Sequence, residues 1–237
     1  LTGMGKGFFV TGTDTGIGKT IVSAAIVRAL YIAGYNVCAM KPIETGCSKV
    51  GDVTMPRDGV FLKEIARMKD PVNHVTPCCL TAPAAPMVAA ELENVTIDKE
   101  MILSRFRELD IKYDAVVVEG TGGILVPVTK DYFMSDLARD IGLPIIVVAG
   151  PFLGTINHTL LTVWHALDGG LEVAGIILNY YKPPEGTLAE ETNPHLLERL
   201  SPVPVIGIMP YIRDMDTRAI DKAVSKNIDL KLLKKYL

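Results

Sequence analysis

The chain has 237 residues, 49% of them hydrophobic, and a formal net charge of −3. This is enough for one large α/β domain with a sizeable core, and the slight acidity argues against a broad basic footprint for nucleic acid. No apolar run approaches the roughly 18–20 residues that cross a bilayer, and Leu1 to Gly7 lacks the apolar centre of a secretory leader, so the expectation is a cytoplasmic protein that engages neither membrane nor nucleic acid.

Leu1-Thr2-Gly3, which precede Met4, are set aside from the fold reading. The apolar run Phe8-Phe9-Val10 reads as a buried strand. It leads into Gly12-Thr13-Asp14-Thr15-Gly16-Ile17-Gly18-Lys19-Thr20 and then an amphipathic run from Ile21 to Tyr31. Strand, glycine loop and helix start form the frame of a phosphate-binding loop, whose backbone N–H groups and helix N-terminus make an anion site. Gly16 and Gly18 let the backbone approach a phosphate closely. Lys19 is placed to reach β/γ-phosphates and the Thr20 hydroxyl to ligate Mg²⁺. The pattern G-x-x-x-x-G-K-[ST] asks for Gly at position 13; this chain has Thr13 there and Gly12 one residue earlier, a loop longer by one.

After a turn at Gly34-Tyr35, Asn36 to Met40 reads as a second strand, ending at Lys41-Pro42. The segment Ile43 to Arg57 has no clear period and reads as a loop at the carboxyl end of a strand, where open α/β sheets bind ligands. Lys41 is either a solvated surface lysine or a second cation for a transferring phosphoryl group. Asp58 precedes a helix predicted over Gly59 to Met68. It is either that helix's N-cap or, with Thr20 and Glu119, part of an oxygen set for Mg²⁺. The proline-rich stretch Pro71 to Pro86 argues against a regular element. Helical character resumes over Met87 to Leu92 and Asp98 to Leu109.

Ala115 to Val118 is a short apolar strand ending in the acid Glu119, then Gly120-Thr121-Gly122-Gly123. An acid so placed emerges beside the phosphates and holds Mg²⁺ directly or through water. Ile145 to Ala149 is the next strand. A glycine turn follows, then a helix from Ile156 to Leu167 whose first N–H groups suit a carboxylate, unless Thr155 or Asn157 caps them. His158 and His165 share a face of that helix and read as packing or solvated residues. Val173 to Leu178 is a strand ending at Asn179, Pro183 to Thr192 a polar loop, and His195 to Leu200 a short helix. Val205 to Ile208 is the last strand, ending at Pro210-Tyr211; the tail from Ala219 to Leu237 reads as helical and peripheral. Cys38, Cys47, Cys78 and Cys79 form no C-x-x-C pair and read as small, buried or half-buried thiols. Apolar strands alternating with helices predict an α/β fold of the P-loop NTPase class, a mainly parallel sheet with helices on both faces, in one domain over residues 1–237.

Taken together, Gly12 to Thr20, Lys41-Pro42-Ile43-Glu44-Thr45-Gly46, Val118 to Gly123 and Leu153-Gly154-Thr155-Ile156-Asn157-His158 resemble the ordered motifs of the dethiobiotin synthetases. Thr121 stands where that family commonly has Ala, and no motif anchors the segment after Asp214. The resemblance implies an ATP- and Mg²⁺-dependent ligase that builds the ureido ring of dethiobiotin from 7,8-diaminononanoate and CO₂, through a carbamate and a carbamic–phosphoric anhydride. It implies Lys19 and Lys41 as catalytic cations and Thr20, Asp58 and Glu119 around Mg²⁺. ATP would lie along Thr15, Gly16, Ile17, Gly18, Lys19, Thr20 and Ile21, against Asp58, Glu119, Gly120, Thr121 and Gly122, with its adenine at Asn179, Tyr180, Pro210, Tyr211 and Ile212. The diamine head would meet Thr15, Thr45 and Gly122, and its carboxylate Thr155, Ile156 and Asn157 across a homodimer interface. A MinD/ParA-type nucleotide switch is the main rival class. It carries a lysine early in its loop, where this chain has Asp14.

Overall fold

Strand β1 (Gly7–Gly12) is buried along its whole length, as the run Phe8-Phe9-Val10 demands. Each such aromatic or aliphatic side chain contributes about 1.5–3 kcal/mol when fully buried. The computed structural model describes residues 5–51, 53–213 and 215–237; Leu1-Thr2-Gly3 lie outside the described residues. After β1 come α1 (Lys19–Ile32), β2 (Val37–Met40), β3 (Ile43–Glu44), β4 (Ser48–Val50), β5 (Val53–Met55), α2 (Arg57–Ile65), α3 (Val72–Val75) and β6 (Cys78–Cys79). The middle of the chain forms α4 (Pro86–Glu93), α5 (Lys99–Lys112), β7 (Ala115–Gly123), β8 (Pro127–Thr129), β9 (Tyr132–Phe133), α6 (Met134–Ile141) and β10 (Ile145–Ala149). The last part forms α7 (Thr155–Asp168), β11 (Val173–Asn179), α8 (Leu188–Leu200), β12 (Val205–Met209), α9 (Thr217–Asn227) and α10 (Leu230–Leu233).

The main sheet has six parallel strands in the order β12-β11-β10-β1-β7-β2. Parallel strands covered on both faces need apolar residues at every position, and β10 and β11 are buried throughout. Every strand of this sheet ends on the same side, so the loops after β1, β2, β7 and β11 converge there. Among the described residues no helix is long and apolar enough to cross a membrane.

Several segments differ from the sequence expectation. The stretch read as a featureless loop contains β3, which pairs with β6, and the hairpin β4–β5. The Pro-rich stretch likewise holds α3 and β6, short elements that fit between its prolines. The polar loop read over Pro183 to Thr192 stops at Thr187: Leu188 to Thr192 already belong to α8, begun by a capping box in which Thr187 Oγ1 accepts from Glu190 N–H. Pro194 lies inside that helix and leaves the Glu190 carbonyl without its usual donor; the Tyr180 hydroxyl donates to it instead, at 3.2 Å.

The tail is not peripheral. Leu233 is fully buried, Tyr236 sets its ring edge-on against Phe8 of β1, and α9 packs along α1. Arg28 of α1 is 3% exposed and donates two hydrogen bonds to Asp221 of α9, at 2.7 and 2.8 Å. Asp221→Ala strands that buried guanidinium. A loss of about 2 kcal/mol is expected, read as a melting temperature lower by about 4–8 °C; an unchanged melting curve would show that the tail docks without the pair.

Candidate active site

The register of the sheet builds the site. Met40 of β2 lies opposite Val118 of β7, so the next residues, Lys41 and Glu119, emerge side by side. On the other flank Val10 of β1 is opposite Glu119, which brings the same acid under the glycine loop. The result is a cleft of about 310 Å³ lined by Thr15, Gly16, Gly18, Lys19, Thr20, Lys41, Glu44, Thr45, Asp58, Glu119, Thr121 and Gly122.

Helix α1 begins at Lys19, two residues earlier than its apolar period suggested, behind a left-handed Gly18 at φ 84°. A Cβ on Gly18 would stand 2.2 Å from the Asn179 amide nitrogen, so both backbone conformation and close approach require glycine there. Lys19 is buried, and its ammonium donates to the Asp14 carbonyl at 3.1 Å. Burial, and after it the charge of Lys41, brings its pKa down to about 8.

Lys41 is 4% exposed, which removes the solvated-surface alternative. Its ammonium donates to Glu119 Oε1 at 2.6 Å and to the Gly120 carbonyl at 3.3 Å, and stands 3.6 Å from the Asp58 carboxylate. Burial alone would lower its pKa; the neighbouring carboxylates, Glu119 foremost, outweigh burial and hold it above the ordinary lysine value. Asp58 is not an N-cap. Pro56 occupies that position, and Asp58 sits in the first turn of α2 with its carboxylate turned toward Lys41.

Glu119 is completely buried. Its Oε1 accepts from both Lys41 and the Thr20 hydroxyl, the latter at 2.9 Å. Its Oε2 has no hydrogen-bond partner among the described residues. An uncompensated carboxylate oxygen in the interior is costly, and a hard divalent cation is the kind of group that satisfies it. The donors Thr20, Asp58 and Glu119 therefore fit Mg²⁺. Among the described residues no group of three or more His, Cys, Asp or Glu side chains has metal-binding geometry, so a cation here would need the Thr20 hydroxyl and oxygen ligands from a bound molecule or water as well.

A second cleft of about 310 Å³ adjoins the first through Gly16 and Gly18, and Ile21, Asn179, Tyr180, Pro210, Tyr211 and Ile212 line it. Asn179 is buried and donates to the Ile17 carbonyl at 2.8 Å, tying this cleft to the glycine loop. Thr121 donates its hydroxyl to the Ile43 carbonyl and so anchors β3. Thr155, Ile156 and Asn157 belong to neither cleft. Helix α7 starts behind Gly154 with no side-chain cap, so Thr155 and Asn157 leave the helix start uncapped, although Thr155 N–H already donates to the Phe152 carbonyl. His158 and His165 are exposed, on a helix that also exposes Leu161 and Trp164. Sequence reasoning missed Glu44, Tyr181, Arg213 and Met215 as lining residues. Glu44 lies within the stretch from Lys41 to Gly46 and Tyr181 directly follows Tyr180, but nothing in their types marks them.

Comparison with known proteins places these features in a lineage. A family model described as an AAA domain matches residues 6–219. The ATP-dependent dethiobiotin synthetase BioD of Thermodesulfovibrio yellowstonii is 43% identical over 237 residues, covering 97% of this chain and 99% of that protein. The enzyme of the same name from Bacillus subtilis is 39% identical over 96% of this chain and 97% of its own length. Among solved structures, the cell division ATPase MinD of Pyrococcus furiosus superposes with a TM-score of 0.57 at 16% identity, covering 97% of this chain and 98% of that one. Likeness at that identity extends to the fold alone.

Proposed function

This chain belongs to the ATP-dependent dethiobiotin synthetase family, a ligase of biotin biosynthesis that uses ATP, and from that premise we propose how its two clefts divide the reaction. The observation that carries the reading is the cluster at the mouth of the glycine loop, where Lys19, Lys41, Asp58, Glu119 and the Thr20 hydroxyl share one small cavity, with Lys41 and Glu119 buried in its floor.

ATP lies with its base in the cleft of Asn179, Pro210 and Tyr211 and its phosphates along Thr15 to Ile21. Thr20, Asp58 and Glu119 would hold Mg²⁺, which when bound would neutralise phosphate charge. One amine of 7,8-diaminononanoate adds CO₂ to give a carbamate, with Thr15, Thr45 and Gly122 around the diamine head. The carbamate oxygen attacks the γ-phosphorus and ADP leaves. The second amine then attacks the carbonyl carbon of the mixed anhydride, the ureido ring closes and phosphate departs. Lys19 and Lys41 supply fixed positive charge where the carbamate and the transferring phosphoryl group concentrate negative charge.

The substrate carboxylate is assigned to the start of α7 at Thr155, Ile156 and Asn157, on the partner subunit of a homodimer. Supporting this, these residues lie outside both clefts, and α7 exposes Leu161 and Trp164 to a surface that a second copy would cover. We read the chain as one domain acting in the cytoplasm, without nucleic acid or membrane.

Formation of dethiobiotin from 7,8-diaminononanoate, bicarbonate, ATP and Mg²⁺, followed by mass spectrometry, tests the whole reading; ATP hydrolysis without that product would sink it. Asp58→Asn should raise the Mg²⁺ needed for half-maximal rate by roughly tenfold, because it removes one of the two carboxylates that the protein would contribute. An unchanged Mg²⁺ dependence would leave Asp58 as a partner of Lys41 only.

A further inference from the structure

We propose that Glu44 is a positioning residue: it grips the first turn of α2 and thereby aims Asp58 at the reacting phosphates. The inference rests on the reading of Asp58 as a Mg²⁺ ligand. Glu44 is buried on β3, fourteen positions before Asp58. Its Oε1 accepts the Asp58 N–H at 3.0 Å and its Oε2 accepts the Gly59 N–H at 3.0 Å. The first N–H groups of a helix have no partners within it, and the N-cap residue here, Pro56, provides no side-chain hydrogen bond. A carboxylate from another element thus does the capping, with its charge at the positive end of the helix.

The other side of the turn is walled. A Cβ on Gly59 would lie 1.9 Å from Thr76 Oγ1, so the turn is pressed against Thr76 while Glu44 holds it. Strand β3 is itself tethered, by its pairing with β6 and by the Thr121 hydroxyl on the Ile43 carbonyl. With both oxygens of Glu44 engaged by backbone, its effect on chemistry passes through the placement of Asp58, 3.6 Å from Lys41. Glu44 borders the cleft, but as a support of its wall.

The test compares Glu44→Ala, Glu44→Gln, Asp58→Asn and the double variant Glu44→Ala/Asp58→Asn. Amide hydrogen exchange at Asp58 and Gly59 and Mn²⁺ binding with a non-hydrolysable ATP analogue are measured beside turnover. Glu44→Ala is expected to lose protection at both amides and to weaken Mn²⁺ binding about tenfold, the size typical of a group that orients a metal ligand. Glu44→Gln, whose amide oxygen still accepts one N–H, should fall between, and the KM for the diamine should hold. In the double variant Glu44→Ala should add less than about twofold to Asp58→Asn, since both act through one group. Fully additive effects, or a raised diamine KM with Mn²⁺ binding intact, overturn the role in favour of substrate contact. Protection unchanged in both Glu44 variants overturns the grip itself. Mn²⁺ binding lowered by Asp58→Asn but not by Glu44→Ala overturns the role alone; binding unmoved by Asp58→Asn overturns the reading beneath it.

Discussion

Lys19→Ala is expected to cut turnover by roughly 10²–10³-fold, the usual size for loss of one fixed charge at a developing anion. The reasoning starts from burial. The Lys19 ammonium is desolvated, held by the Asp14 carbonyl and set at the first residue of α1, where phosphate oxygens also meet the helix dipole. A methyl group there leaves a cavity lined by three carboxylates, Glu44, Asp58 and Glu119, with Lys41 as the one remaining lysine of its lining. ATP affinity should fall along with the rate. The loss should persist at saturating diamine, because the missing contact is to phosphate. Steady-state turnover and calorimetric ATP binding measure both effects, and near-normal values would remove the glycine loop from the mechanism.

A second large effect is expected from mixing two crippled chains. Lys19→Ala disables the phosphate end of a site; Asn157→Asp sets a negative charge against the substrate carboxylate at the start of α7 and should raise the KM for the diamine while sparing ATP. If each site takes its phosphate end from one subunit and its carboxylate end from the other, a heterodimer of the two variants carries one site with both lesions and one with neither. At a diamine concentration well below the raised KM, random reassortment of equal amounts into a C₂ dimer then restores about a quarter of wild-type activity from two stocks that are each nearly inactive under those conditions. With subunit exchange demonstrated by mass, failure to recover activity would confine the carboxylate site to a single chain or to another surface.

Much of the site could be read from sequence because its parts are local. A strand, a glycine loop and Lys19-Thr20 lie within fourteen residues, and Ala115 to Glu119 carries its own apolar run and acid. What could not be read depends on pairing between distant segments. The burial of Lys41 follows from β2 lying beside β7, seventy-eight residues away along the chain from Lys41 to Glu119. The grip of Glu44 on α2 is of the same kind, a side chain meeting backbone amides of a helix it does not belong to. The first half of helix α8 is hidden for another reason. Pro194 argues against a helix by local rules, and the Tyr180 hydroxyl, just past the end of β11, supplies the Glu190 carbonyl with a donor in place of the missing one. The tail looked peripheral because Arg28 and Asp221 are 193 residues apart, and neither residue type announces a buried pair.

The bond from the Asn179 amide to the Ile17 carbonyl, with Gly18 packed against the same amide, makes a shared rivet between the two clefts. Moving Asn179 away from the glycine loop would break this bond, so the opening of one cleft is linked to that of the other. With ATP placed as proposed, the link sets the span between base and phosphates. AMP is then expected to bind far more weakly than ATP, because from the Asn179 cleft it falls short of Lys19 however well its base fits.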